Sequence, residues 1–274
     1  MTLLSEHKTF GGVQAVYEHR SEACDCNMKI GVFRPEKAKA SAPALIWLSG
    51  LTCTEQNFIT KSGAQRFAAE HGLVLITPDT SPRGENVPDD ERFNFGQGAG
   101  FYLDATKMPW MKNFAMETYI RDEIVFWIKS NLQFVDSRRV GLFGHSMGGL
   151  GALTLHLKNP TLFKSCSAFS PITAPSQTPW GQEAFKGYLG DTPRRWARYD
   201  ALHLVGKQPS NAHILIDQGT EDEYMDQLKP ELFKEACQDA GQKLTLRMQE
   251  GYDHSYYFVA SFIQDHIRSH AEQL

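Results

Sequence analysis

The chain has 274 residues, a formal net charge of −4 and 41% hydrophobic residues, values that suit one large α/β domain with a sizeable core. Its 28 Lys and Arg and 32 Asp and Glu are scattered without a basic block, which argues against a nucleic-acid partner. No apolar run is long enough to span a bilayer, so no membrane association is expected.

The first residues, Met1-Thr2-Leu3-Leu4-Ser5-Glu6-His7-Lys8, lack the basic start and continuous apolar core of a signal peptide, and a cytoplasmic location is expected. Residues 10–17 and 28–33 read as strands, the second ended by Pro35, and 44–48 reads as a buried strand. A helix over 62–71 and a strand over 73–76 follow, then a Gly/Pro-rich stretch from 78 to about 109. A loop of that length is usually functional. Ile120, Ile124, Trp127, Ile128 and Leu132 recur at helical spacing within 115–132. The apolar run Arg139-Val140-Gly141-Leu142-Phe143 predicts the next strand, and a helix opens at Gly149.

Another buried strand is expected over 163–169. Residues 171–204 look irregular, with one short helix near 182–188, and are expected to form a small cap-like insertion within a single domain spanning 1–274. A strand at 213–216, a helix near 230–240, a strand at 243–248 and a helix after His254 complete the pattern. This alternation predicts an α/β fold with a mostly parallel central sheet, helices on both faces and ligand at the carboxyl ends of the strands. Five cysteines, Cys24, Cys26, Cys53, Cys166 and Cys237, are odd in number and irregularly spaced, so reduced thiols are expected rather than disulfides or a metal site.

Gly144-His145-Ser146-Met147-Gly148 lies between the predicted strand and helix, which is the context of a nucleophile elbow. There a serine is presented on a strained turn, and the glycines two residues to either side let strand and helix pass closely. The Met147 N–H falls at the helix N-terminus, where it can receive a developing oxyanion. A serine hydroxyl needs a histidine to take its proton and an acid to orient that histidine. In the order Ser, acid, His, the matching positions are Asp222, beyond the strand ending near Ile216, and His254, beyond the last strand.

Asp217, Glu221 and Asp226 are rivals of Asp222. Asp217 reads as a brace for the loop, and the other two as solvated charges. His266 and His270, one helical turn apart, have no third ligand and read as a solvated helix face. His145 is expected to pack or bond locally. The second oxyanion donor is expected from the loop after 44–48, Ser49-Gly50-Leu51-Thr52-Cys53-Thr54, with the Leu51 N–H as the candidate.

Taken together with Pro78-Asp79-Thr80-Ser81-Pro82-Arg83-Gly84, Pro179-Trp180-Gly181, Asp217-Gln218-Gly219-Thr220 and Gly251-Tyr252-Asp253-His254-Ser255-Tyr256-Tyr257-Phe258, these segments resemble the S-formylglutathione hydrolase, or esterase D, family of the α/β-hydrolase superfamily. The resemblance spans nearly the whole chain. Tyr224 departs from the family's usual phenylalanine, which puts only local packing in doubt. The resemblance implies a triad of Ser146, Asp222 and His254, an oxyanion hole of the Leu51 and Met147 N–H groups, and hydrolysis of S-formylglutathione to formate and glutathione through a formyl-enzyme. It further implies no cofactor, a cytoplasmic role in formaldehyde detoxification, and a homodimer.

The family also places the Cys53 thiol beside the site without making it the nucleophile. Trp180 is a candidate for the acyl or glutathione pocket, and core packing is the competing reading. Carboxylesterase side activity is expected. The competing functions are a general carboxylesterase, an acyltransferase and a catalytically silent binding module.

Overall fold

The computed structural model describes residues 1–38 and 40–274. Nine strands form one sheet in the order β1-β2-β3-β5-β4-β6-β7-β8-β9. They are β1 (Thr2–Thr9), β2 (Gly12–Ser21), β3 (Cys26–Pro35), β4 (Ala42–Leu48), β5 (Val74–Pro78), β6 (Val135–His145), β7 (Phe163–Phe169), β8 (Ile214–Gly219) and β9 (Leu244–Gln249). The first three join antiparallel, β3 meets β5 antiparallel, and every pair from β5 to β9 is parallel. The mostly parallel sheet expected from the sequence is present.

Both faces of the parallel part are covered, which explains why its strands read as continuous apolar runs. Leu45, Trp47, Phe143 and Phe169 pack on one side against Phe58, Ala68, Val259, Ile263 and Ile267. Ala44, Ile46, Leu48, Leu142 and Ile216 face the other side, toward Ile120, Ile128, Leu150 and Leu153. Alternate strand residues point to opposite faces, so one run such as Ala44 to Leu48 supplies both cores.

Sequence and structure differ at four places. Residues 171–204, read as irregular with one short helix, carry the helices Pro179–Leu189 and Pro193–Trp196 and the start of Ala201–Lys207. β1 lies before the first predicted strand; it is an edge strand with almost every residue exposed, so no buried face imposes an alternation to read. A helix α1 (Glu55–Lys61) precedes α2 (Ala64–His71), where only the second was expected. Finally, His266 and His270 are buried, not solvated. Their face of the helix Tyr256–Gln273 also carries Val259, Ile263 and Ile267 and is pressed on the sheet.

There the two histidines join β7: His270 lies 2.6 Å from Ser165 Oγ and 2.9 Å from Ser167 Oγ, and His266 lies 2.8 Å from Ser167 Oγ and 3.0 Å from Asp217. Hydrogen-bonding hydroxyls and a carboxylate offset the cost of burying the imidazoles. All five cysteines are free. Among the described residues no helix is long and apolar enough to cross a membrane.

Candidate active site

The chain reverses its direction of winding between β4 and β6, since β5 lies on one side of β4 and β6 on the other. A crevice opens at the carboxyl ends of the strands at such a point. Ser146 stands there, between β6 and the helix Met147–Lys158, with φ 59° and ψ −119°. This positive φ in a non-glycine residue is strained. It is held by backbone hydrogen bonds from Ser146 N–H to Phe169 O (2.9 Å) and from Leu150 N–H to Ser146 O (3.1 Å).

The flanking glycines are required by contact. A Cβ on Gly144 would stand 2.3 Å from Gly148 O, and a Cβ on Gly148 would stand 1.9 Å from Leu48 O. Strand, helix and the loop after β4 therefore meet backbone to backbone. The same closeness brings Gly50 beside Ser146, with only 3.2 Å between a Cβ built on Gly50 and Ser146 Cβ. Neither the Leu51 nor the Met147 N–H has an acceptor among the described residues.

The loop after β8 carries Asp222 and the β9-to-helix connection carries His254. His254 Nδ1 donates to Asp222 Oδ2 at 2.7 Å. Asp222 also accepts from Gln218 Nε2 (3.0 Å) and from the Tyr224 N–H (2.9 Å). Burial pushes the Asp222 carboxyl up, but its hydrogen bonds, chiefly from His254, hold it below the usual value. Ser146 and His254 line one cavity of about 310 Å³, and no hydrogen bond joins them in this arrangement. Such contacts commonly tighten only when substrate binds.

Leu51, Cys53 and Trp180 line the same cavity. Burial pushes the Cys53 thiol up, so the neutral thiol is favoured there over the thiolate. Trp180 comes from the helix Pro179–Leu189 and meets Phe93 edge-on at 5.6 Å and Tyr224 at 4.9 Å. Tyr224 does more than pack locally: it lines the cavity and lies edge-on to His254, with centroids 5.0 Å apart.

His145 is buried with its ring centroid 4.4 Å from that of His254, and neither of its nitrogens has a hydrogen-bond partner. Burial, and then the proximity of His254, push its pKa well below the ordinary value, so it is neutral. Of the other acids, Asp217 lies fully buried under the sheet edge and accepts from Arg247 (2.6 Å) and Gln249 (3.0 Å). It was expected to brace the loop, but its carboxylate instead ties β9 and the C-terminal helix to β8, and it does not reach His254.

Sequence reasoning missed the residues that hold the loop carrying Leu51. Thr80 Oγ1 and Arg83 Nη2 both donate to Cys53 O, at 2.5 and 2.8 Å, and Tyr102 donates to Ser49 O at 2.9 Å. Thr52 N–H donates to Gly98 O at 2.9 Å. The Pro78-Asp79-Thr80-Ser81-Pro82-Arg83-Gly84 motif and the long Gly/Pro-rich stretch were the available signals. A wider cleft of about 490 Å³, lined by His19, Glu123 and Trp127 among others, contains none of these groups. Among the described residues there is no cluster of three metal-ligating side chains.

A largely parallel sheet with a serine elbow at its switch point defines an α/β-hydrolase. The family model described as "Putative esterase" matches residues 21–269. The chain is also similar over its full length to an S-formylglutathione hydrolase from Agrobacterium tumefaciens, with 46% identity, 100% of each chain covered and a TM-score of 0.98. The protein belongs to this esterase family, which includes S-formylglutathione hydrolase.

Two more distant structures share the fold. A fluorophosphonate-binding serine hydrolase from Staphylococcus aureus is 18% identical, covers 95% of this chain and 98% of its own, and has a TM-score of 0.75. An S-formylglutathione hydrolase from the same organism is 16% identical, covers 94% and 98%, and has a TM-score of 0.69.

Proposed function

We propose that this esterase hydrolyses S-formylglutathione to formate and glutathione, using Ser146 as nucleophile, His254 as base and Asp222 as its orienting acid. The observation that carries the substrate is the 46% identity to an S-formylglutathione hydrolase over the whole of both chains. The chemistry follows from the site. Ser146 Oγ attacks the formyl carbon as His254 takes its proton, and the tetrahedral oxyanion accepts hydrogen bonds from the Leu51 and Met147 N–H groups.

The C–S bond then breaks, the proton on His254 passes to the departing sulfur, and Ser146 carries the formyl group. Water, deprotonated by His254, attacks the formyl-enzyme, and formate leaves as the proton returns to Ser146. A thioester carbonyl is electrophilic and a thiolate leaves readily, so the demanding steps are activating the serine and holding the oxyanion. Asp222 keeps His254 in the tautomer whose Nε2 is free to accept.

In this reading the enzyme works without a cofactor, as a cytoplasmic homodimer in formaldehyde detoxification, with carboxylesterase activity as a side reaction. Residues 171–204 serve as a cap in the single domain, a role supported by the position of Trp180 on the cavity wall.

The test is kcat/KM for S-formylglutathione beside p-nitrophenyl acetate, in the native protein and in Ser146→Ala. The formyl thioester is expected to be strongly preferred, and Ser146→Ala to lower kcat by about 10³-fold or more. A comparable or faster rate on the simple ester would make the protein a general esterase. Near-normal turnover by Ser146→Ala would remove Ser146 as nucleophile.

A further inference from the structure

The cavity that Ser146 and His254 share is lined by an aromatic cluster of Phe93, Trp180 and Tyr224 and by two residues of α1, Asn57 and Lys61. These two positions are four residues apart and therefore on the same face of the helix. Lys61 is the one Lys, Arg, Asp or Glu side chain on the described lining of this cavity. Its ammonium lies 5.7 Å from the centre of the Tyr256 ring, and among the described residues it makes no salt bridge.

Asn57 is oriented. Its Oδ1 accepts the Thr54 N–H at 3.0 Å within the capping box of α1, so its Nδ2 hydrogens remain for another acceptor. An ammonium and an amide donor, one helical turn apart and unopposed by any carboxylate on the wall, match the donor requirements of a carboxylate.

We propose that Lys61 and Asn57 form a subsite for a carboxylate on the leaving group. It rests on the S-formylglutathione reading, in which glutathione is that leaving group. The formyl group offers no charge, whereas the glutathionyl portion carries carboxylates several bonds from the sulfur, so a cation set back from the reacting carbon selects the thiol side. Lys61 is a specificity determinant here and takes no part in bond making.

The experiment compares the ratio of kcat/KM for S-formylglutathione to kcat/KM for p-nitrophenyl acetate in the native protein, Lys61→Met and Lys61→Arg. Lys61→Met is expected to lower the ratio by about tenfold or more, chiefly through KM for the thioester, and Lys61→Arg to restore most of it. The native KM for the thioester is expected to rise with added salt, because the ammonium is exposed and screened. A Lys61→Met ratio within about twofold of native would overturn the subsite.

Failure of the underlying reading is separately visible, as a native enzyme that does not prefer S-formylglutathione. In that event 4-acetoxybenzoate against phenyl acetate still reads Lys61. A preference for the anionic ester that disappears in Lys61→Met would support the carboxylate subsite, and the absence of any preference would overturn it.

Discussion

Asp217 and Asp222 are five positions apart in one strand-and-loop segment and have unlike surroundings. Asp222 turns back from the loop to His254, whereas Asp217 is buried against Arg247, Gln249 and His266. Burial pushes the Asp217 carboxyl up, but bonds from His266 and Arg247 outweigh it and hold the pKa at about 2. Asp222→Asn is therefore expected to lower kcat by about 10⁴-fold while leaving thermal unfolding cooperative. Asp217→Asn should instead cost about 3 kcal/mol of stability, because it removes the buried carboxylate that binds Arg247 and His266 and leaves Arg247 only the partly exposed Asp265. Urea unfolding and kcat per folded molecule, measured on both variants, check the pair; exchanged phenotypes would exchange the roles. The order Ser, acid, His picked out from the sequence the Asp222–His254 pair that the structure joins and the Ser146 that shares its cavity. Tyr224, Asn57 and Lys61 were not legible, since only side-chain direction brings them to the cavity.

The elements most readable in the sequence were those with a continuous apolar run or a clear apolar face. β4 to β8 and the helix Pro230–Ala240 stand close to where apolar pattern and proline put them. The seven-residue α1 was illegible because it buries little beyond Phe58 and Glu55; its signal is the Thr54–Asn57 capping box, in which asparagine takes the place more often held by Glu or Gln. The long stretch after β5, read from the sequence as functional, holds the backbone of the loop that carries Leu51. The elbow makes the sharpest prediction at this scale. A methyl at Gly148 would fall 1.9 Å from Leu48 O, and neither backbone can yield without moving β4, β6 or the helix Met147–Lys158 that follows β6. Gly148→Ala is expected to lose about 4 kcal/mol or more, read by urea unfolding. Native stability and activity in that variant would disprove the backbone-contact account.

Across the whole molecule, the buried histidines set how stability depends on acidity. Burial lowers the pKa of His156 to about 4 and of His270 to about 3, and lowers that of His266. In the unfolded chain each titrates near 6.5. Between pH 6.5 and about 4 the unfolded state therefore binds more protons, and stability falls as pH falls. Unfolding in this window is expected to take up about two to three protons from these groups, and His270→Gln to remove about one. Urea-unfolding free energies measured from pH 7 to pH 4.5 test this, and a flat profile would contradict the burial of these histidines as neutral groups. The helix that carries two of them begins just after His254 and closes one face of the sheet. Protein synthesis thus delivers the proposed nucleophile long before its proposed base: a nascent chain that has just passed the elbow already has Ser146 but lacks His254. On that assignment chemical competence arrives only with the final segment, and in the same step that segment seals the second core.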